Sequence, residues 1–331
     1  MATPPTGTVE RFTVASVALR DNLVGAPSVR AVDLYLPVGG AAGRPLLVDL
    51  VGFTGSGLSH TRWKAFGENV PARLDRLIAT GAMPPVAVAF PDCFTRLGGN
   101  QYIDSRAMGR WETFLCDELV PAVEARFGCG GAGRRGVFGK SSGGYGAIVH
   151  AMRRADVWAA AACHSGDMAF EWCYLPDLPR ALRTLEPLGF SVAALVAELE
   201  RSDKPGDDRL NAIMMCAMAA SYDPDPTAPF GVRLPCDPHT CALDDARWQR
   251  WLAWDPVRMV DAHAGALRSL RALYVDCGRR DQYNLVYGAR QLHAALERLG
   301  VAHRYDEFDD DHTAIDYRMD ESLPFLARAL A

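Results

Sequence analysis

Apolar positions along the chain follow two periods that alternate in order. Residues 11–20 (RFTVASVALR) and 29–38 (VRAVDLYLPV) alternate or run apolar with β-branched side chains, which predicts two early strands paired as an antiparallel, hairpin-like couple. Residues 45–53 (PLLVDLVGF) and 85–93 (PVAVAFPDC) are continuous apolar runs, as expected of strands buried on both faces. Further strands are predicted at 134–141, 158–167, 270–278 and 302–310. Between them, spacing of three and four predicts helices at 60–80 (through Trp63, Phe66, Val70, Leu74, Leu77 and Ile78), 105–127, 143–154, 285–300 and 313–330.

Strands alternating with helices predict an α/β protein: a mostly parallel central sheet with antiparallel N-terminal strands and helices on both faces. Regularity lapses over 168–255, where helical pieces (SVAALVAELERS, RLNAIMMCAMAASY) surround a Pro-rich loop and the aromatic run RWQRWLAWDP. This stretch lies between core strands. It is therefore expected as a helical and loop cap inserted into a single domain spanning 1–331, above the carboxyl ends of the strands, where open parallel sheets bind ligands.

The bulk numbers change this picture little. An apolar content of 49% and a charged content of 23% are those of a soluble globular protein. A net charge of −5 argues against nucleic acid or an anionic membrane as partner, leaving a small-molecule substrate, with a homodimer the one protein assembly considered. The first residues, MATPPTGTVERF, lack the charged start and apolar core of a secretory signal, and no apolar run reaches about 18 residues. Nine cysteines without a CxxC read as free, mostly buried thiols in a reducing, cytoplasmic setting. The tightest cluster, Cys236-x-x-His239-x-Cys241, fits no common zinc spacing and reads as a Pro-rich loop, so no metal is expected.

Candidate chemistry centres on RRGVFGKSSGG (134–144), which contains two overlapping motifs. GKS ends a phosphate-binding loop, but G-x-x-x-x-G-K-[ST] requires glycine where Arg134 stands, and an apolar strand runs up to the lysine. The nucleotide-binding alternative therefore lacks its defining residue. G-x-S-x-G, as Gly139-Lys140-Ser141-Ser142-Gly143, has the strand before it and the helix after it that a nucleophile turn needs. The spacing designates Ser141 as nucleophile.

A serine hydroxyl needs a base, and the base an orienting carboxylate. His312, after the last strand and before the final helix, is the expected base. His150 and His293 fall within helices and His303 starts a strand, while His164 is at most a pocket residue. The segment YVDCGRRDQYN offers Asp276 in the strand body and Asp281 beyond Gly278; Asp281 is preferred because its loop is free to reach across. Oxyanion donors are expected from the N–H of Ser142, at a helix N-terminus, and from the loop after the third strand, at Phe53. Trp172, Trp248, Trp251 and Trp254 either wall a pocket or pack the cap, and Trp111 reads as core. Arg96, Asp104, Tyr145 and His164 lie near predicted strand ends.

With these residues in place, LVDLVGFTGSG, GVFGKSSGGYGA, DCGRRDQYN and DDDHTAIDY resemble the oxyanion, nucleophile, acid and histidine loops of the esterase D-like branch of the α/β-hydrolase superfamily. That branch includes S-formylglutathione hydrolases, feruloyl esterases, enterochelin esterases and mycolyltransferase-like proteins. The resemblance spans the chain except much of 168–250. It implies an α/β-hydrolase fold and a serine esterase without cofactor, with Ser141, Asp281 and His312 as its triad, or an acyltransferase using the same residues. It does not reach the natural ester. Lys140 departs from the apolar or histidine residue usual before the serine, and its side chain is expected to point away from the nucleophile.

Overall fold

The computed structural model describes residues 6–331; residues 1–5, at the start of the stretch read as lacking a secretory signal, lie outside the described residues. The chain forms β1 (Thr8–Ala15), β2 (Val29–Leu36), β3 (Leu46–Leu50), β4 (Ala87–Pro91), β5 (Asp104–Ser105), β6 (Gly109–Arg110), β7 (Arg135–Lys140), β8 (Ala160–His164), β9 (Ala272–Gly278) and β10 (Arg304–Phe308). Eight of these make one sheet in the order β1-β2-β4-β3-β7-β8-β9-β10, and β5 and β6 form a separate small ribbon. β1 and β2 pair antiparallel with each other and β2 antiparallel with β4; the pairings from β4 to β10 are parallel. The expected sheet is therefore present, antiparallel N-terminal strands included.

Burial explains the apolar runs. Every residue of β3, β4, β8 and β9 is buried, whereas β1, at the sheet's edge, is mostly wet. Successive side chains alternate between two cores. Leu46, Val48 and Leu50 join a cluster with Ala147, Ile148 and Trp111. Leu47, Val88, Phe138 and Ala162 join a second cluster beneath the helices Val70–Ala79 and Met319–Leu330.

Residues 168–255 fold as a set of helices, among them Leu178–Leu185, Val192–Arg201, Asp207–Tyr222 and Asp245–Leu252. The helix Asp207–Tyr222 is buried over nearly all of its second half. Tyr222 packs against Tyr145, Phe170, Tyr174 and Trp251, joining the insertion to the first core. The Asp255 carboxylate accepts from the N–H groups of Ala169 (3.0 Å), Phe170 (2.8 Å) and Val257 (3.0 Å), so one buried side chain ties the two ends of the insertion together.

Some predicted boundaries shift. The early strand ends at Ala15, because the backbone beyond it turns to give the Val17 and Ala18 N–H groups to the Glu118 carboxylate (2.9 Å each). The helix expected over 60–80 is two pieces, Gly57–Thr61 and Val70–Ala79; Trp63 and Phe66, counted as its apolar face, are 81% and 92% exposed on the loop between. The second piece starts where Asn69 caps it through Ala72 N–H (2.9 Å), with Pro71 in its first turn. The helix expected from 105 begins at Trp111, after the β5–β6 ribbon. The closing helix begins at Met319, preceded by a short turn of helix, Ile315–Arg318.

The strand order reverses between β3 and β7, which opens a crevice at their carboxyl ends. There the helix Ser142–Arg153 is pressed onto β3. A Cβ on Gly139 would lie 2.3 Å from the Leu50 carbonyl oxygen, and one on Gly143 only 1.8 Å from it. Both glycines of G-x-S-x-G are thus required by contact with backbone that no rotamer change can relieve. Gly143→Ala is expected to lower the unfolding free energy by about 3 kcal/mol, the upper end for an overpacked core. Urea denaturation checks this; a loss below about 1 kcal/mol would show that the helix can slide off β3.

Candidate active site

The turn at the end of β7 holds Ser141 at φ 83° and ψ −114°, a conformation that a side-chain-bearing residue adopts at a cost. The surroundings enforce it. The Ser141 N–H donates to the His164 carbonyl (3.0 Å), and the Ser141 carbonyl accepts from Tyr145 N–H (2.8 Å). The hydroxyl is thereby lifted out of the turn toward the crevice.

His312 comes to it from the loop after β10. Its Nε2 is 3.0 Å from Ser141 Oγ, and its Nδ1 is 2.8 Å from Asp281 Oδ2. A carboxylate can only accept at neutral pH, so Nδ1 carries the proton and Nε2 presents a lone pair to the serine hydroxyl. Asp281 is fixed in turn: its Oδ1 accepts from Tyr283 N–H (2.9 Å) and Leu285 N–H (3.4 Å) at the start of the helix Leu285–Arg298. The histidine loop is pinned where His312 N–H donates to Gln282 Oε1 (3.0 Å). The Tyr283 ring stands edge-on to the imidazole at 4.9 Å.

Asp276, the other carboxylate offered by the sequence, is not part of this chain of bonds. It is fully buried in β9, where Oδ1 lies 2.8 Å from His164 Nδ1 and Oδ2 accepts from Tyr274 OH (3.0 Å) and Arg318 Nε (2.9 Å). His164 Nε2 meets Ser322 Oγ at 2.8 Å, binding the last helix to the sheet.

A cavity of about 370 Å³ opens above Ser141. Gly52, Phe53, Thr54, Ser142, Tyr283 and His312 line it together with Ser141, as do Asp167, Tyr174, Arg180, Asn211 and Met214. Phe53 and Ser142, the expected oxyanion donors, thus both border the space beside Ser141 Oγ. The loop bearing Phe53 is held by Gly99, whose N–H donates to the Phe53 carbonyl (2.7 Å); a Cβ on Gly99 would lie 2.3 Å from that oxygen. A wider groove of about 590 Å³ lies among Leu182, Phe190, Val232 and Leu234 of the insertion and contains neither Ser141 nor His312.

Three pocket residues expected from the sequence lie elsewhere. Tyr145 is fully buried, with its hydroxyl on the Trp254 carbonyl (3.1 Å), because its position on the helix turns it into the insertion. His164 is held beneath the sheet's edge by Asp276 and Ser322. Trp172 is 55% exposed outside the cavity, where its carbonyl accepts from Asn284 Nδ2 (3.2 Å). Trp248 and Trp251 pack the insertion. Arg96 pairs with Glu200, and Asp104 caps Thr113. Lys140, beside Ser141 in the chain, is half-buried and borders the cavity. His239 packs edge-on against Phe190 (4.9 Å) in its loop.

The polar wall went unread in the sequence. Asp167 Oδ2 accepts from Tyr174 OH (2.9 Å), Gln101 Nε2 (3.2 Å) and Ser142 Oγ (3.3 Å). Burial pushes the Asp167 carboxyl above the usual carboxylate range, and the Tyr174 hydrogen bond opposes that rise. Its one sequence signal was its position just past β8, at a strand's carboxyl end. Gln101 had no such signal.

Residues 56–320, well over half of the chain, match the family model Esterase, described as "Putative esterase". The chain belongs to this esterase family. Membership carries ester hydrolysis as the activity. No curated protein matches the esterase by sequence. Its fold is that of solved α/β-hydrolase structures. A ferulic acid esterase superposes with a TM-score of 0.62 at 20% identity, covering 98% of this chain and 99% of the other. An S-formylglutathione hydrolase from Agrobacterium tumefaciens gives 0.61 at 17%, covering 100% and 98%. The fluorophosphonate-binding serine hydrolase FphF of Staphylococcus aureus gives 0.59 at 14%, covering 99% and 100%.

The separate placement of the esterase's two aspartates has a measurable consequence. Asp276→Asn should reduce the unfolding free energy by about 3 kcal/mol, because it leaves the Arg318 guanidinium short of its buried partner. Urea denaturation is the check, and a change below about 1 kcal/mol would contradict the structural role.

Proposed function

We propose that this protein is a serine esterase in which Ser141, His312 and Asp281 are the catalytic residues. The observation that carries the proposal is the hydrogen-bonded chain from Asp281 through His312 to Ser141, ending on a hydroxyl that faces a cavity. Ser141 Oγ attacks the acyl carbon of a carboxylic ester while His312 Nε2 takes its proton. Asp281 holds the imidazole in the tautomer that leaves Nε2 free and stabilises the imidazolium once formed. The charge that develops on the carbonyl oxygen is met by the backbone N–H groups of Ser142 and Phe53. The imidazolium then protonates the leaving alcohol, and the acyl-enzyme is released by a water that His312 activates in the same way.

The names of the similar structures support a serine nucleophile: one is a fluorophosphonate-binding serine hydrolase and another acts as a ferulic acid esterase. The cavity's size suits a small ester. The insertion 168–255 serves as its cap, supplying Cys173, Tyr174, Arg180 and Met214 to its lining. Nine free thiols, eight of them buried, favour a reducing, cytoplasmic setting. No helix among the described residues is long and apolar enough to cross a membrane.

A fluorophosphonate probe should label Ser141, located by peptide mapping, and labelling should vanish in Ser141→Ala. Folded protein left unlabelled would overturn the proposal. With 4-nitrophenyl acetate, Asp281→Asn should lower kcat by about 10³–10⁴-fold through the wrong imidazole tautomer; turnover within about tenfold of wild type would remove Asp281 from the mechanism.

A further inference from the structure

Asp167 lines the cavity beside the serine turn, yet its protein partners gather on one of its two oxygens. The Asp167 N–H donates to the Ser141 carbonyl (3.4 Å). Oδ2 takes all three side-chain donors: Tyr174 OH, Gln101 Nε2 and Ser142 Oγ. Oδ1 has no hydrogen bond to any of the described residues. The Oδ1 atoms of Asp49 and Asn211 also lack a partner, but they are sealed in completely. That of Asp167 keeps accessible surface, and the space it meets is the cavity that Asp167 lines. The backbone that carries it is fixed by close packing. At the preceding residue, Gly166, a Cβ would lie 2.5 Å from Cys163 Sγ and 2.9 Å from the Gly144 carbonyl carbon of the helix that starts after Ser141.

Holding Tyr174, Gln101 and Ser142 takes one acceptor oxygen, which an amide would supply without the cost of burying a charge. What a carboxylate adds is a second acceptor. Here that acceptor is carried by the same group that bonds Ser142, the residue after Ser141, so a donor that reaches it lies close to the scissile carbonyl. Arg180 lines the same cavity with only its Nε engaged, on Asp208 Oδ1 (2.7 Å), and its charge disfavours an ammonium as that donor. A neutral hydroxyl meets no such repulsion. We propose that Asp167 is a specificity residue whose Oδ1 accepts a hydrogen bond from the substrate, selecting esters that carry a free hydroxyl a few bonds from the scissile carbonyl. The inference rests on the reading of Ser141 as nucleophile.

The test uses pairs of esters that differ in whether an oxygen can donate. Methyl 3-hydroxybutyrate against methyl 3-methoxybutyrate places the hydroxyl on the acyl side, and 2-hydroxyethyl butyrate against 2-methoxyethyl butyrate places it on the alcohol side. Each kcat/KM is divided by the rate of hydrolysis by hydroxide, which removes intrinsic reactivity, and all are measured in mildly alkaline buffer. Wild type should favour the hydroxyl in at least one pair by about ten- to a hundredfold, the range of one hydrogen bond to a charged group. In Asp167→Asn the amide oxygen takes over the donors of Oδ2, and an NH2 group that cannot accept replaces Oδ1, so the preference should fall by about tenfold or more. A role confined to holding Tyr174, Gln101 and Ser142 would slow both esters of a pair alike and leave the ratio unmoved. A wild-type ratio near one in both pairs, or a ratio that survives in Asp167→Asn, would overturn the proposal. Should Asp167→Asn fail to fold, methyl 3-methylbutyrate and propyl butyrate, which carry a methyl group in place of the hydroxyl, still decide: a wild type that turns over the hydroxyl esters no better than these would refute it. If the fluorophosphonate leaves Ser141 unlabelled and no ester is turned over, the nucleophile assignment falls and Asp167's role with it; a labelled Ser141 with ratios near one removes the role of Asp167 alone.

Discussion

Where β3 ends, its last carbonyl and the two glycines of the serine turn occupy space that admits no further atom. That contact between Leu50, Gly139 and Gly143 sets the angle at which the helix Ser142–Arg153 leaves the sheet. It forces Ser141 into its costly φ and ψ, and so decides where the hydroxyl stands. It also brings the loop after β3 beside the serine: a Cβ on Gly52 would lie 3.4 Å from that of Ser141. The proposed nucleophile and the proposed oxyanion loop are thus positioned by one packing constraint. Asp281 and His312 then need only two loops, after β9 and β10, that end within hydrogen-bond reach. Parallel neighbours in a sheet provide that, because their carboxyl ends lie side by side.

This explains which parts could be read from sequence. The central strands were legible because burial on both faces leaves an unbroken apolar run, and the serine turn because its glycines answer to backbone contact rather than to side-chain choice. That Asp281 rather than Asp276 meets His312 was legible because Asp276 sits within the apolar run of β9, whereas Asp281 lies in the loop beyond it. The failures have a common cause. Trp63 and Phe66 have helical spacing with Val70 and Leu74, but spacing does not report whether a turn is occupied; Asn69 and Pro71, which start a new helix, were the overriding signal. Tyr145 is suggested only by nearness to a predicted strand end and Trp172 only by being an aromatic residue of the insertion, whereas pocket membership depends on which way a side chain points from its helix. That direction is set by the insertion, whose irregular pattern carries little information about its packing.

The two Ser–His–Asp sets in this chain show what distance alone cannot decide. Ser322, His164 and Asp276 are linked by hydrogen bonds of 2.8 and 2.8 Å, as good as the 3.0 and 2.8 Å that link Ser141, His312 and Asp281. Yet the first set lies under the final helix with all three residues buried, and its Asp276 also neutralises Arg318. Its Ser322 hydroxyl belongs to the helix Met319–Leu330 and borders neither of the cavities described above. It is a polar clamp. The second set differs in what surrounds it: a serine lifted by its backbone, the backbone of Phe53 and Ser142 beside it, and a cavity lined by Asp167 and Tyr174. On the proposed reading, reactivity is therefore a property of the crevice that two closely packed strands open, and Ser141, His312 and Asp281 serve as a triad only because they border that crevice.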